Sequence, residues 1–380
     1  MNKVVCKSAW LVTLLGFGLT VASNSANAQQ PDPAAVELID RLSLRESPEP
    51  IRNHPRWARP RKVVVAYRST LGGSEAEFLA GIEAVAGDAE VVLFEPFDPD
   101  LDLIADADVF IGFCRPQILS QLENLRWIHT YLVGVDRCLS DSGVRKIDFI
   151  MSNNQRVSGP SIAELAITMT LMLSRKLHYY QEQQHRQRWA RDAQPSTDLS
   201  GKTLLILGLG GIGTETARRA SALGMRVIAT RNSNREGPEF VDKVGLSDEM
   251  YEFAGEAHFV VNALPLTDKT NGLIDSRFFD ALKPGAYYIS VGRGKTTVTD
   301  DLVAALNDGT LAGAGLDVTD PEPLPSDHPL WVAKNIVITP HIAGRNFDSV
   351  QRTLIIAKEN LRRYVQGEKL LSVVDVERGY

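Results

Sequence analysis

Cysteine is scarce in this chain: 380 residues carry only Cys6, Cys114 and Cys138, and no C-x-x-C pair occurs. That spacing excludes a zinc-ligand pattern and gives no sign of a disulfide framework. Basic runs are missing as well. The 41 lysines and arginines stand against 47 acids, for a net charge of −6, and no basic–aromatic interleaving marks a nucleic-acid surface. The apolar stretch Ala9–Ala22 stops at 14 residues, short of an ordinary membrane span. No internal repeat at solenoid spacing is evident. What remains, 44% apolar and 23% charged, is the composition of a soluble globular protein long enough for two cores.

The first 28 residues read as an export leader. Lys3 and Lys7 precede the apolar stretch, and Ala26-Asn27-Ala28 supplies an A-x-A cleavage signal before Gln29. Neither a twin arginine nor a lipobox cysteine accompanies it. Cleavage after Ala28 would remove two lysines and take the net charge to about −8. The expectation is an exported or periplasmic protein with no stable membrane association once cleaved, and a cytoplasmic one otherwise. Residues 29–60, with Pro31, Pro33, Pro48, Pro50, Pro55 and Pro60, read as an extended arm or linker.

One segment defines a site. Leu204 to Leu207 form an apolar strand that breaks into Gly208-Leu209-Gly210-Gly211-Ile212-Gly213 and opens a helix reaching Leu223. A second strand, Arg226 to Thr230, follows. Gly208 suits the tight turn, Gly210 lets backbone approach a pyrophosphate, and Gly213 lets helix and strand pack closely. Backbone N–H groups and the positive helix end then face the phosphates. Beyond the second strand stand Arg231, Asn232 and Ser233, where an NAD-specific site places an acid for the ribose 2′-OH. A guanidinium binds a 2′-phosphate that a carboxylate would repel, so the expected cofactor is NADP(H) over NAD(H).

Strands and helices alternate on both sides of this unit. Strands are expected at Lys62–Tyr67, Glu90–Phe94, Asp108–Phe113, Trp127–Val133 and Ile147–Ser152, with a helix at Glu75–Ala86. After Gly159-Pro160 a single helix is expected from Ser161 to about Trp189, its apolar residues at helical spacing. Later strands are Phe259–Ala263, Tyr287–Val291, Gly313–Asp317 and Ile336–Thr339, and a final helix spans about Phe347–Val365. The fold class is α/β: two doubly wound parallel-sheet domains, with a Rossmann nucleotide-binding domain (158–342) inserted in a flavodoxin-like substrate domain (61–157 and 343–380).

Ligands of such sheets bind at strand ends. Arg293 follows one strand in Gly292-Arg293-Gly294, Glu322 lies just beyond another, and His341 follows Thr339-Pro340. Each alone is ambiguous; together they form an acid–base set for one nicotinamide.

From about Val63 to Val374 the chain resembles the D-isomer-specific 2-hydroxyacid dehydrogenases, a family that includes glyoxylate/hydroxypyruvate reductases. The motifs that carry the likeness are Val133-Gly134-Val135-Asp136, Ser161-Ile162-Ala163-Glu164, the glycine loop, Leu264-Pro265-Leu266-Thr267, the Arg293 turn, Asp317 to Pro323, and Thr339 to Gly344. The chain departs from the family pattern at Arg137-Cys138, where a second acid is common, and at Thr319, where an aromatic is usual. The resemblance implies Arg293, Glu322 and His341 as catalytic residues, with Val133, Gly134 and Arg293 on the substrate carboxylate. The candidate cofactor set is Gly208, Gly210, Gly211, Ile212, Gly213, Arg231, Asn232, Ser233, Pro265, Val291 and Asp317, the last accepting from the nicotinamide carboxamide. No metal is expected. The chemistry suits these residue types: the imidazole of His341 can give a proton to a carbonyl oxygen. Glu322 on its other ring nitrogen would orient it and favour its charged form. Arg293 can pair with a carboxylate without losing its proton. The implied reaction is NADPH-dependent reduction of a 2-oxoacid to its D-2-hydroxyacid by a homodimer. A non-catalytic NADP(H)-binding regulatory module and an exported oxidoreductase with tightly bound NADP are the alternatives.

Overall fold

The computed structural model describes residues 30–67, 74–97, 99–191 and 196–377. The leader expected at residues 1–28 lies outside them. Short β-branched runs build the first sheet from β1 (Lys62–Ala66), β2 (Glu90–Phe94), β3 (Val109–Gly112), β4 (Trp127–Thr130) and β5 (Ile150–Asn153). All pair in parallel, in the order β2-β1-β3-β4-β5. Every residue of β1, β3, β4 and β5 is buried, as expected of a parallel sheet covered on both faces. This is the flavodoxin-like order.

The second sheet comprises β6 (Thr203–Leu207), β7 (Arg226–Arg231), β8 (Lys243–Leu246), β9 (Phe259–Asn262), β10 (Ala286–Ser290), β11 (Leu311–Leu316) and β12 (Ile336–Ile338). Its order, β12-β11-β10-β9-β6-β7-β8, reverses direction between β6 and β9. That switch point opens a crevice at the carboxyl ends, where the glycine loop leaves β6. Sequence reading passed over β8, because Asp242, Lys243 and Gly245 look like a loop. Gly245 is instead the place where the Phe253 ring packs, 2.7 Å from where a Cβ would stand.

Four helices from the first half of the chain matter to the site. Helix α1 (Pro33–Leu42) corrects the expected extended arm. Asp32 caps it by accepting from the Ala34 N–H at 2.9 Å, and Pro33 occupies the first turn, where its missing donor costs nothing. Leu38 and Leu42 then pack with Leu44, Val157, Ile356 and Leu371. The rest of the arm runs along the C-terminal segment through Ser47 N–H to Leu370 O (2.7 Å) and Ile51 N–H to Glu368 O (2.8 Å). Helix α2 (Glu75–Ala86) starts with a Ser74–Glu77 capping box, and α3 (Asp136–Leu139) is a single turn after β4. Helix α4 (Gly159–Ser174) follows β5.

The helix expected to run unbroken to about Trp189 stops at Ser174 and resumes as α5 (Leu177–His185). Its apolar stripe ends at Leu173, and Lys176 turns left-handed (φ 59°), placing its ammonium 5.4 Å from the Tyr287 ring centre. Helix α6 (Gly211–Ala222) follows the glycine loop, and α7 (Phe347–Gln366) returns to the first domain. There Tyr364 stacks on Trp127 at 4.7 Å.

The chain crosses between domains twice, and the crossings are fastened together. Ser349 Oγ donates to Ser158 Oγ (3.2 Å), Ser161 Oγ to Asn346 Oδ1 (3.2 Å), and Arg352 Nε to the Val157 carbonyl (3.1 Å). Among the described residues no helix is long and apolar enough to cross a membrane.

Candidate active site

The glycine loop has the shape its sequence requires. Gly208 is left-handed (φ 94°), a backbone that side chains resist. A Cβ on Gly213 would stand 2.2 Å from the Gly208 carbonyl oxygen, so helix and loop can meet only at glycine. Gly210 faces open space, with nothing within 4 Å of its missing Cβ. The free N–H groups at the start of α6, beginning at Gly211 and Ile212, lie beside that opening. Arg231 ends β7, and its Nη1 donates to the Glu236 carbonyl at 2.9 Å; among the described residues no carboxylate pairs with it. Asn232 and Ser233 are exposed beyond it. An open backbone cradle with a guanidinium at the next strand tip fits a phosphorylated dinucleotide.

The three expected catalytic residues come together at the carboxyl ends of β10, β11 and β12. His341 Nδ1 lies 2.7 Å from Glu322 Oε1, fixing the imidazole and leaving Nε2 for another partner. The His341 backbone is left-handed (φ 54°), and its N–H donates to the Asp317 carbonyl at 2.8 Å. Asp317 is buried, and its carboxylate organises this turn by accepting from Thr339 Oγ1 (2.6 Å), Ile342 N–H (2.9 Å) and Ala343 N–H (3.0 Å). Those donors occupy both oxygens. A carboxamide contact of the kind the resemblance implies would have to share them.

Arg293 leaves the β10 end just after buried Val291 and Gly292. A Cβ on Gly292 would stand 2.5 Å from the Leu264 carbonyl, which brings the Leu264-Pro265 loop against the Arg293 turn. Pro265 presents its carbonyl to Thr270 Oγ1 at 2.6 Å.

The other wall of the cleft is the β4 end. The backbone there supplies Val133 and Gly134, and the Val133 carbonyl accepts from Asn153 Nδ2 at 2.7 Å. Gly134 lies against the Arg293 guanidinium, its Cβ position 1.5 Å from Nη2. Asp136 accepts from Arg293 Nε at 3.0 Å, and Arg137 reaches Glu322 Oε1 at 3.4 Å. Sequence reading gave neither residue a catalytic or binding role. Both begin α3, so one helical turn of the first domain grips two of the expected catalytic residues of the second.

That turn is also cross-linked. Cys138 forms a disulfide with Cys114, which follows β3, with the two Cα atoms 5.6 Å apart. The structure thus corrects the expectation of no disulfide: adjacent parallel strands bring together cysteines 24 positions apart. Among the described residues no cluster of three or more candidate metal ligands occurs.

A Rossmann sheet with a glycine cradle, joined at a cleft holding His–Glu and Arg, defines an NAD(P)-dependent oxidoreductase. Comparison with known proteins gives the family. Residues 167–343 match the model of the D-isomer specific 2-hydroxyacid dehydrogenase NAD-binding domain. Human glyoxylate reductase/hydroxypyruvate reductase is 35% identical over 256 residues, 66% of this chain and 76% of the relative. A family member from Aeromonas salmonicida superposes with a TM-score of 0.73 at 29% identity, covering 83% of this chain and 99% of that one. The NADPH-dependent glyoxylate/hydroxypyruvate reductase of Sinorhizobium meliloti, solved with NADP and sulfate, gives 0.70 at 25% identity, covering 84% and 99%. The chain belongs to the D-isomer specific 2-hydroxyacid dehydrogenase family.

Proposed function

We propose that this enzyme reduces a small 2-oxoacid, of the glyoxylate or hydroxypyruvate kind, to the D-2-hydroxyacid with NADPH. The observation that carries the reading is His341 Nδ1 held 2.7 Å from Glu322 Oε1, with Arg293 at the carboxyl end of the neighbouring strand β10. When bound, the cofactor supplies the hydride that reaches the carbonyl carbon. Protonated His341 gives its Nε2 proton to the carbonyl oxygen, and Glu322 keeps the ring aimed while charge changes. Arg293, oriented by Asp136, holds the carboxylate and polarises the carbonyl with the N–H groups of Val133 and Gly134.

Preference for NADPH is supported by Arg231, with which no carboxylate among the described residues forms an ion pair, and by the NADP bound in the Sinorhizobium relative. The test is NADPH oxidation by the purified mature protein across a panel of 2-oxoacids; absence of turnover throughout sinks the proposal. Arg231→Asp should reverse the NADPH-to-NADH preference, and an unchanged ratio removes Arg231 from the 2′-phosphate site. Assembly as a homodimer belongs to the same reading and is checked by sedimentation.

Export is the second part of this reading. It is supported by the leader pattern of residues 1–28 and by the Cys114–Cys138 disulfide, a bond that oxidising compartments sustain. Fractionation that finds the chain starting at Gln29 outside the cytoplasm tests it. An exported enzyme needs its nucleotide at hand, which favours tightly held NADP; mass spectrometry after exhaustive dialysis reads that directly.

A further inference from the structure

Arg156 lies where the chain crosses from β5 into α4, and its backbone is left-handed (φ 71°). L residues hold that conformation mainly where the surroundings demand it. Its side chain lies across the glycine loop. A Cβ on Gly211 would stand 2.7 Å from Arg156 Cγ and 2.9 Å from its Cα, so only glycine at 211 leaves the arginine this path.

Among the described residues the half-buried guanidinium has no hydrogen bond and no ion pair. Burial, then the charges of Arg45 and Arg231, hold its pKa below the ordinary arginine value, against a smaller pull from Glu215. Glu215 is itself paired with Arg218 and Arg219. An arginine in this setting, at the mouth of α6 and near Arg231, with which no carboxylate among the described residues pairs, is suited to an anion with more than one phosphate.

We propose that Arg156 is a ligand of the dinucleotide pyrophosphate, closing over the glycine loop from the interdomain crossing while Arg231 takes the 2′-phosphate. The inference rests on the cofactor reading above and adds a residue from outside the nucleotide-binding motif. A planar guanidinium can meet two phosphate oxygens at once, which a lysine ammonium cannot match.

The test is equilibrium binding of NADPH and NADH, followed by nucleotide fluorescence, with no substrate present. Arg156→Met should raise the Kd of both nucleotides by a similar factor, about ten- to a hundredfold. Arg156→Lys should recover part of that loss. Arg231→Met should weaken NADPH and leave NADH unchanged. Arg156→Gly removes the cation while suiting the left-handed backbone, so it should bind as poorly as Arg156→Met yet melt no lower than the unaltered protein.

Loss confined to NADPH in Arg156→Met would move Arg156 to the 2′-phosphate and overturn the proposal. Normal binding of both nucleotides by Arg156→Gly would overturn it equally. A protein that binds nucleotide but reduces no 2-oxoacid fails the functional proposal and not this one.

Discussion

The two walls of the cleft are held in place by different means. On the nucleotide-domain side, His341 stands on a turn tied to Asp317 by three donors to the carboxylate and one to the carbonyl. On the substrate-domain side, the single turn α3 is held by a disulfide and reaches across through two ion pairs. The first wall is built from hydrogen bonds that converge on one buried carboxylate. The second relies on a bond that answers to redox state and on charge pairs that answer to salt. The proposed proton donor stands on the first wall, and the second wall reaches it only through the contacts of α3 to Arg293 and Glu322.

The sharpest way to break this comparison is at the chemistry. His341→Gln keeps a hydrogen-bonding side chain but cannot supply the proton, and kcat/KM should fall about a hundred- to ten-thousandfold with the melting temperature unchanged. A fall under tenfold would place the acid elsewhere. Next comes the cross-link. Reduction with dithiothreitol, or Cys114→Ser with Cys138→Ser, should cost roughly 3 kcal/mol of stability for a loop of 24 residues. It should raise KM several-fold with a smaller fall in kcat, because α3 holds Arg293 through an ion pair at 3.0 Å and reaches Glu322 only through the exposed Arg137. Urea denaturation and steady-state kinetics with and without reductant read both effects; a lower kcat at constant KM contradicts the division of labour.

The smallest effect belongs to Arg137. Its side chain is 77% exposed and 3.4 Å from Glu322, a surface pair of about 0–1 kcal/mol. Arg137→Ala should change kcat/KM by less than about fivefold, and the difference should shrink further in high salt. A hundredfold loss would show that the exposed wall shares in the chemistry after all.

The same contrast explains what the sequence could tell. The glycine loop, Arg293, Glu322 and His341 are legible because each function lies in a few consecutive residues at a strand end. Their spacing carries the backbone geometry with it. The opposite wall is not written locally. Cys114 and Cys138 meet only because β3 and β4 are neighbours, and Asp136 and Arg137 find partners 157 and 185 residues away. Arg156 is a lone arginine in a polar crossing, and nothing nearby marks its position over Gly211. Helix α1 was hidden by the prolines at its start, Pro31 and Pro33. Pro33 reads as a breaker until Asp32 is seen to cap the turn it begins. The break at Lys176 is equally tertiary, set by where the apolar stripe ends and by the Tyr287 face.

The two interdomain crossings, stitched through Ser158, Ser349, Ser161 and Asn346, have a mechanical consequence. Separate tethers would let the domains slide and twist; a fastened pair acts as a pivot and allows chiefly rotation about one axis. Leverage about that pivot is unequal. On such a pivot a group near the crossings, as His341 is by chain at five positions before Asn346, sweeps a shorter arc than one far from them. The cleft can therefore open to exchange its contents while the imidazole stays almost where it was, aimed and ready for the next closure.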